Sequence, residues 1–187
     1  MNTTVADESV EHYGPILIRR GYEWVELEDV AHASSLDLAQ ITKSFPNKAL
    51  LCNAWMEKTD ARTKQHHVLL LKSGQPPRDI LETYFDELKK FMEEYQFSGC
   101  PYTNTSRALR DQPDQWLTDR TKEHKNEIRR FFKQLCQNTS HQADTVAESL
   151  FLIYSGATTE SANIKSLAPI KAGSQAALAL FDLYAKA

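Results

Sequence analysis

The sequence is poor in the residues that mark several common classes of protein. Its six glycines and seven prolines are scattered through 187 residues, which argues against collagen-like, low-complexity and disordered chains. The three cysteines, Cys52, Cys100 and Cys136, form no CxxC pair and have no histidine at metal-ligand spacing, so neither a zinc site nor a disulfide framework is predicted. We expect all three to be reduced and buried.

Long apolar runs and catalytic signatures are missing as well. No run approaches the roughly 20 apolar residues that span a bilayer, and the N-terminus lacks the layout of a signal peptide, so a cytoplasmic protein without membrane contact is expected. No P-loop, GxSxG, HExxH or dinucleotide fingerprint occurs. We therefore predict no enzymatic activity, no cofactor and no bound metal. His66-His67 is predicted to be a solvated helix end, because adjacent residues point about 100° apart on a helix.

The segments with a clear period have the spacing of α-helices. The best example follows Pro77, where apolar residues recur along one stripe between Ile80 and Tyr95. Three further stripes run over residues 117–135, 146–157 and 177–184. No stretch shows convincing alternation with β-branched residues, so the fold class is predicted to be all-α.

The last two predicted helices carry small residues among large ones and few charges. A helix pair that is apolar around so much of its circumference has another surface to cover. The pattern leaves two interpretations open, an internal core pair and a subunit interface. The candidate interface residues are Tyr154, Ala157, Ala177 and Phe181.

Residues 26–51 contain the parts of a helix-turn-helix. A short apolar helix breaks at Ser34-Ser35, and Asp37 then caps a second helix, with Gln40 three residues later completing a capping box. The second helix is expected to stop at Pro46, before a third helix that begins near Lys48. Its predicted buried residues are Leu38, Ile41 and Phe45.

These residues resemble the N-terminal signature of TetR/AcrR-type transcriptional regulators. The similarity aligns without a gap over Arg20-Gly21-Tyr22, Leu27–Ala31 and Phe45–Lys48, and residues 97–104 are similar to a GC-x-x-x-N pattern in one branch of that family. The resemblance implies an N-terminal three-helix DNA-binding domain over residues 1–52. It implies a C-terminal helical bundle for ligand binding and dimerisation over residues 53–187.

The implied partners are a double-stranded DNA operator, a small, largely apolar effector and a second copy of the chain. Glutamine can read adenine in the major groove and lysines can meet phosphates, so the predicted DNA contacts are Gln40, Thr42, Lys43 and Lys48. An effector cavity is mostly apolar with a few polar groups. Its candidate residues, for each of which ordinary packing is the alternative, are Tyr84, Tyr102, Asn104, Trp116, His124 and Phe132.

Departures from the family pattern favour a second hypothesis. Thr42 stands where an aromatic residue is common, and Gly14-Pro15 falls where the family has a continuous helix. Because an interior proline removes a backbone hydrogen bond, the first helix is expected to be broken or shortened. Residues 1–55 carry four basic and eight acidic side chains, a net charge of −4, whereas DNA affinity draws on Lys and Arg. The alternative is a helical ligand- or partner-binding dimer that has lost DNA binding.

Overall fold

The computed structural model describes residues 4–137 and 141–185, which form α-helices and no β-strand. The predicted all-α class is confirmed. None of these helices combines the length and the apolar character that crossing a bilayer requires. In chain order the helices are α1 Val5–Arg20, α2 Leu27–Ala33, α3 Leu38–Ser44, α4 Lys48–Leu71, α5 Pro77–Glu94, α6 Pro101–Ala108, α7 Gln115–Cys136, α8 Ala143–Ile164 and α9 Ala168–Leu183.

The chain divides into two compact units. Unit 1 comprises Met1–Arg62 and Cys100–Glu123, and unit 2 comprises Thr63–Gly99 and His124–Ala187. Each unit is therefore built from two separate stretches of sequence. The predicted boundary at residue 52 divides the chain by function rather than by compactness, and it stays a prediction.

Unit 1 has a small core to which α1, α2 and α3 all contribute. Tyr13 and Leu17 on α1, Val30 on α2 and Ile41 on α3 are each at most 2% exposed. The first helix is also anchored at its start, where the Thr4 side chain accepts a hydrogen bond from the backbone N–H of Asp7. The predicted three-helix arrangement of this segment is confirmed.

The first helix is continuous, contrary to the expectation that Gly14-Pro15 breaks it. It runs from Val5 to Arg20 with Pro15 inside. Burial on both sides of the proline offsets the lost backbone hydrogen bond, since Tyr13 and Leu17 are part of the core. Gly14 has a separate role, because a Cβ atom there would lie 2.2 Å from Nε1 of Trp55. The glycine is thus the residue that lets the indole pack against the helix.

Unit 2 has a larger core along α5, with α8 and α9 packed against that helix and against each other. The predicted stripe on α5 is confirmed, since Ile80, Tyr84 and Leu88 are buried and Pro77 is the first helical residue. A short turn joins α8 to α9, with Lys165 in the left-handed conformation at φ 49°. The two helices approach closely at Gly173, where a Cβ atom would lie 2.9 Å from the Cβ of Ala157.

The packing of Trp55 on Gly14 predicts that Gly14→Ala destabilises the protein. Overpacking a filled site costs about 1–3 kcal/mol, and the better helix propensity of alanine returns only about 1 kcal/mol. The indole has little freedom to move aside, since Trp55 is buried and lies 5.9 Å from the ring of Tyr102. Chemical denaturation of the variant measures the loss.

The control for this prediction is the same substitution in a Trp55→Leu background. A smaller side chain removes the atoms that the new methyl group meets, so Gly14→Ala should there be neutral or slightly stabilising. An equal loss of unfolding free energy in both backgrounds would contradict the assignment of Gly14 to the indole contact.

Candidate functional site

The helix-turn-helix is built from two seven-residue helices joined by a tight turn. The backbone N–H of Glu26 donates to Oδ2 of Asp29 at 2.8 Å and fixes the start of α2. In the turn, the N–H of Leu36 donates to Oγ of Ser34. The N–H of Asp37 then donates to Oε1 of Gln40 at 3.0 Å. The predicted capping box at the start of α3 is therefore confirmed.

The outward face of α3 carries three of the four residues predicted to contact DNA. Gln40, Thr42 and Lys43 are exposed, while Ile41 between them is fully buried. Oε1 of Gln40 accepts the capping-box hydrogen bond from Asp37. The amide N–H groups of Gln40 are not used in that bond. Within the described part of the chain, no carboxylate lies at ion-pair distance from Lys43. Their contact with DNA stays a prediction.

Two other residues of this segment differ from their predicted placement. Leu38 is 38% exposed rather than buried, because it is the first residue of α3 and lies at the rim of the small core. Phe45 is half-buried at the end of the same helix. Only Ile41 is buried as predicted.

The fourth predicted contact, Lys48, is bound within its own unit. Its Nζ lies 2.6 Å from Oε1 of Glu26 and 3.4 Å from the carbonyl oxygen of Glu23, and it stands 5.1 Å from the centre of the Tyr22 ring. No local pattern in the sequence signals this pair, because Glu26 lies 22 residues before Lys48. Glu26 was not among the predicted site residues.

The acidic start of the chain contacts cations of α4. Lys58 lies 2.7 Å from Glu11 and 3.7 Å from Asp7, and Arg62 also pairs with Glu11. Hydrogen bonds from Lys58 and Arg62 hold the pKa of Glu11 below its ordinary value. Part of the negative charge of residues 1–55 is thus compensated inside unit 1.

The six predicted effector residues fall in both units. Tyr102, Asn104 and Trp116 belong to unit 1, where the Tyr102 hydroxyl donates to Oδ1 of Asp60 at 2.8 Å and Trp116 is 60% exposed. Burial is the first cause that raises the pKa of Tyr102 far above its ordinary value. These contacts make Tyr102 a packing residue between α4 and α6, so a role in ligand binding stays a prediction.

In unit 2 the structure brings two of the predicted effector residues together. The rings of Tyr84 and Phe132 lie 5.5 Å apart in an edge-to-face arrangement, and Phe131 and Tyr154 lie within 5.2 Å of Tyr84. His124, the remaining predicted residue, is partly buried on α7. This aromatic cluster supplies the apolar ring surface of which effector sites are largely made, and its role in ligand binding stays a prediction.

His67 is buried beside this cluster, contrary to the prediction that it lies at a solvated helix end. His66 and His67 lie inside α4 rather than at its end, and the His67 side chain is only 3% exposed. As expected for adjacent helical residues, the two rings point to different partners. His66 contacts Glu87 on α5, whereas His67 contacts Glu127 on α7. Partners this far along the chain leave no local signal in the sequence.

The contacts of His67 define its protonation. Nδ1 lies 3.1 Å from the Glu127 carboxylate, which only accepts, so Nδ1 carries the hydrogen and Nε2 accepts from the Tyr84 hydroxyl at 3.1 Å. Burial lowers the pKa of His67 and raises the pKa of Tyr84. Burial by itself raises the pKa of Glu127, but hydrogen bonds from Arg130 and His67 lower it by more. The net result is a pKa below the ordinary value of a glutamate. The network holds a neutral imidazole beside a charged carboxylate.

An open groove of about 420 Å³ between α7 and α8 contains none of the predicted effector residues. Basic side chains that line the groove form ion pairs with acidic ones, since Arg129 lies 3.0 Å from Glu148 and Lys133 lies 3.0 Å from Asp144.

The described residues hold no cluster of three side chains suited to a metal ion. The cysteines are free thiols, but Cys100 is only partly buried, contrary to the expectation that all three are buried. Burial raises the pKa of Cys52 and Cys136 to about 12, so neither is a reactive thiolate.

Three of the four candidate interface residues, Ala157, Ala177 and Phe181, are at most 7% exposed in the core of unit 2, and Tyr154 is partly buried against that core. This placement favours the internal-core interpretation for these positions, and their contact with a second copy stays a prediction. The pattern is ambiguous because α8 and α9 are apolar on more than one face. Their exposed and uncharged residues include Leu152, Gly156, Thr159 and Asn163 on α8, and Ala172, Ala176, Ala179 and Leu183 on α9.

The lowered pKa of His67 predicts a loss of stability in acid. The unfolded chain binds a proton near pH 6.5 and the folded chain does so only at lower pH. The stability contributed by the neutral imidazole is therefore complete above about pH 6.5 and is lost as the pH falls through the folded pKa. His67→Gln should flatten the fall in unfolding free energy between about pH 7 and 5, as measured by urea denaturation.

The neighbouring substitution His66→Gln is the matched control, since that ring is 43% exposed and binds Glu87. It should retain the pH dependence of the parent protein. If both variants flatten the dependence equally, the buried imidazole is not its source.

Comparison with known proteins identifies the fold. No family profile and no curated protein sequence matches the chain. A TetR transcriptional regulator from Legionella pneumophila is 13% identical with a TM-score of 0.82, and the match covers 100% of both chains. A TetR-family regulator from Cytophaga hutchinsonii is 16% identical with a TM-score of 0.79, covering 97% of this chain and 95% of that one. Escherichia coli NemR in its reduced form is 18% identical with a TM-score of 0.78, covering 97% of each.

The match extends over nearly the whole chain in each case, at identities that establish a fold. The predicted resemblance is confirmed at this level, including the N-terminal helix-turn-helix and the helical C-terminal part. The chain therefore has the fold of the TetR-family transcriptional regulators.

Proposed function

We propose that the protein is a homodimeric transcriptional regulator that binds operator DNA through α3 and is released by a small, largely apolar effector. The observation that carries this proposal is the exposed face of α3. Gln40, Thr42 and Lys43 stand together on the outside of a helix whose inner side is held by Ile41. A helix presented in this way can enter a major groove and place its side chains against base edges.

The proposed contacts divide by chemistry. The amide N–H groups of Gln40 can reach a base, because only its oxygen is used in the capping box. Lys43 and the hydroxyl of Thr42 supply contacts to phosphates, which position the helix without reading sequence. Thr42 already donates to the carbonyl oxygen of Leu38 at 2.7 Å, so its single O–H can donate to a phosphate oxygen only by sharing or giving up that bond.

The proposed dimer uses the outer faces of α8 and α9. On α9, Ala172, Ala176 and Ala179 follow one another at helical spacing, and Leu183 is 75% exposed at the end of the stripe. Small uncharged residues allow helices of two subunits to approach closely. A two-fold dimer of this kind can hold two helix-turn-helix units about one DNA turn apart.

The proposed effector site is in the aromatic cluster of unit 2, which we define as His67, Tyr84, Phe131, Phe132 and Tyr154. It combines apolar ring surface with the polar atoms of His67 and Tyr84. A ligand bound there can favour one of two separations of the DNA-binding helices and so weaken operator binding.

A second function is favoured by a specific observation, the pairing of Lys48 with Glu26. A lysine that is already neutralised contributes less to binding a polyanion. Together with the net charge of −4 in residues 1–55, this supports the alternative of a helical ligand- or partner-binding dimer that has lost DNA binding. Sequence-specific, salt-sensitive DNA binding excludes this alternative.

DNA binding is tested by fluorescence anisotropy with the DNA upstream of the gene and a scrambled duplex at several salt concentrations. We expect preference for the upstream DNA, with log affinity falling linearly with log salt. Lys43→Gln should lower the slope by about one, because one phosphate contact is lost. Lys72→Gln, an exposed lysine at the end of α4, should leave the slope unchanged. A folded dimer with no preference at low salt contradicts the proposal.

The dimer is tested by analytical ultracentrifugation of Ala176→Glu. An unpaired charge buried in an interface costs about 3–5 kcal/mol, so the variant should dissociate at concentrations roughly 100-fold higher than the parent. Ala61→Glu, at an exposed position of α4, should sediment as the parent does. If Ala176→Glu remains fully dimeric, the interface lies elsewhere.

A further inference from the structure

We propose that Glu26 is an internal competitor for DNA phosphate at Lys48, and that it lowers the affinity for DNA backbone whatever the sequence. This inference rests on the proposed DNA-binding function. It assigns to Glu26 the role of limiting how strongly the protein binds DNA phosphate. The motivating observation is that a cation at the start of α4, within the helix-turn-helix unit, already holds a carboxylate of its own chain.

The three groups that contact Nζ of Lys48 all belong to the segment that precedes α2. Nζ lies 2.6 Å from Oε1 of Glu26, 3.4 Å from the carbonyl oxygen of Glu23 and 5.1 Å from the centre of the Tyr22 ring. An ammonium group has three N–H donors. The two oxygens and the ring face together account for all three of them. A phosphate oxygen can therefore bind Lys48 closely only by replacing one of these partners.

The exposed carboxylate is the partner that a phosphate must replace. Glu26 is 56% exposed, whereas the Lys48 side chain is 25% exposed and Tyr22 is buried. Replacement has two unfavourable consequences. The gain from a new phosphate contact is reduced by the loss of the existing pair, and the displaced carboxylate is left close to the negative backbone.

Neighbouring charges show that the competition is local to this segment. Asp29, one helical turn after Glu26, pairs with Arg20 on α1. Lys43 on α3, in contrast, has no ion-pair partner among the described residues. Contact with the DNA backbone is therefore weakened at Lys48, while the recognition face of α3 keeps its lysine. Because phosphate contacts carry no sequence information, the affinity for every duplex is lowered by a similar factor.

The test compares Glu26→Gln with the parent in full-length protein, using anisotropy with upstream and scrambled duplexes over a range of salt. Glutamine keeps the size and an acceptor oxygen but removes the charge. We expect affinity for both duplexes to rise roughly tenfold at low salt and the salt slope to steepen by about 0.9, the value for one additional phosphate. The preference for upstream DNA should remain that of the parent, because a phosphate contact does not read sequence.

Three further variants separate the specific contact from general charge. Glu23→Gln removes one negative charge from the same segment, but only its carbonyl oxygen approaches Lys48, so the slope should not change. Glu26→Gln combined with Lys48→Gln should return the slope to that of the parent. Glu26→Ser repeats the charge removal with a residue that favours the start of a helix, so it tests the idea even if Glu26→Gln folds poorly.

The outcomes are distinct. A steeper slope in both Glu26 variants that disappears when Lys48 is also replaced supports the inference. If the parent binds upstream DNA preferentially and the Glu26 variants match it, or match Glu23→Gln, the inference is wrong and the proposed function stands. If no folded variant binds any duplex at low salt, the proposed DNA-binding function fails and the inference fails with it.

Discussion

The burial of Ile41 is the constraint on which the proposed DNA-binding surface depends. A helix of seven residues does not form alone, because fixing its first turn costs more than its few hydrogen bonds return. α3 exists because Ile41 is fully buried in the core shared with α1 and α2, and because Asp37 and Gln40 satisfy backbone groups at its start. Once that side is fixed, the opposite side faces outward. The exposure of Lys43 therefore follows from the burial of Ile41, two residues earlier on the helix.

Several acidic residues of unit 1 are paired with cations, so part of its negative charge is compensated within the unit. Glu11 binds Lys58 and Arg62, Asp29 binds Arg20, and Glu26 binds Lys48. Exposed pairs of this kind add little stability, typically below about 1 kcal/mol each. Their larger effect is on what the surface can bind, because a paired cation is no longer freely offered to an anion. Lys43, which has no ion-pair partner among the described residues, therefore carries more of the proposed attraction for DNA than the number of basic residues suggests.

Local signals in the sequence were sufficient for the elements and for part of the site. The capping box at Asp37, the turn after α2 and the stripe on α5 all depend on residues within a few positions of one another, and each is present as predicted. The continuity of α1 could not be predicted, because the core that buries Tyr13 and Leu17 on either side of Pro15 is completed by residues of α2 and α3. His67 was misplaced for the same reason, since Tyr84 and Glu127 reach it from other helices.

The two interpretations that the α8 and α9 pattern left open do not exclude each other. The inner stripes, with Ala157 against Gly173, form the core of unit 2, and the outer stripes remain uncharged and exposed. A close approach through small residues leaves little space for either helix to slide on the other, because packed interiors resist deformation. The pair is therefore expected to move as one body. In the proposed dimer, joined through these helices, the proposed effector therefore acts by shifting other helices of unit 2 against this fixed pair.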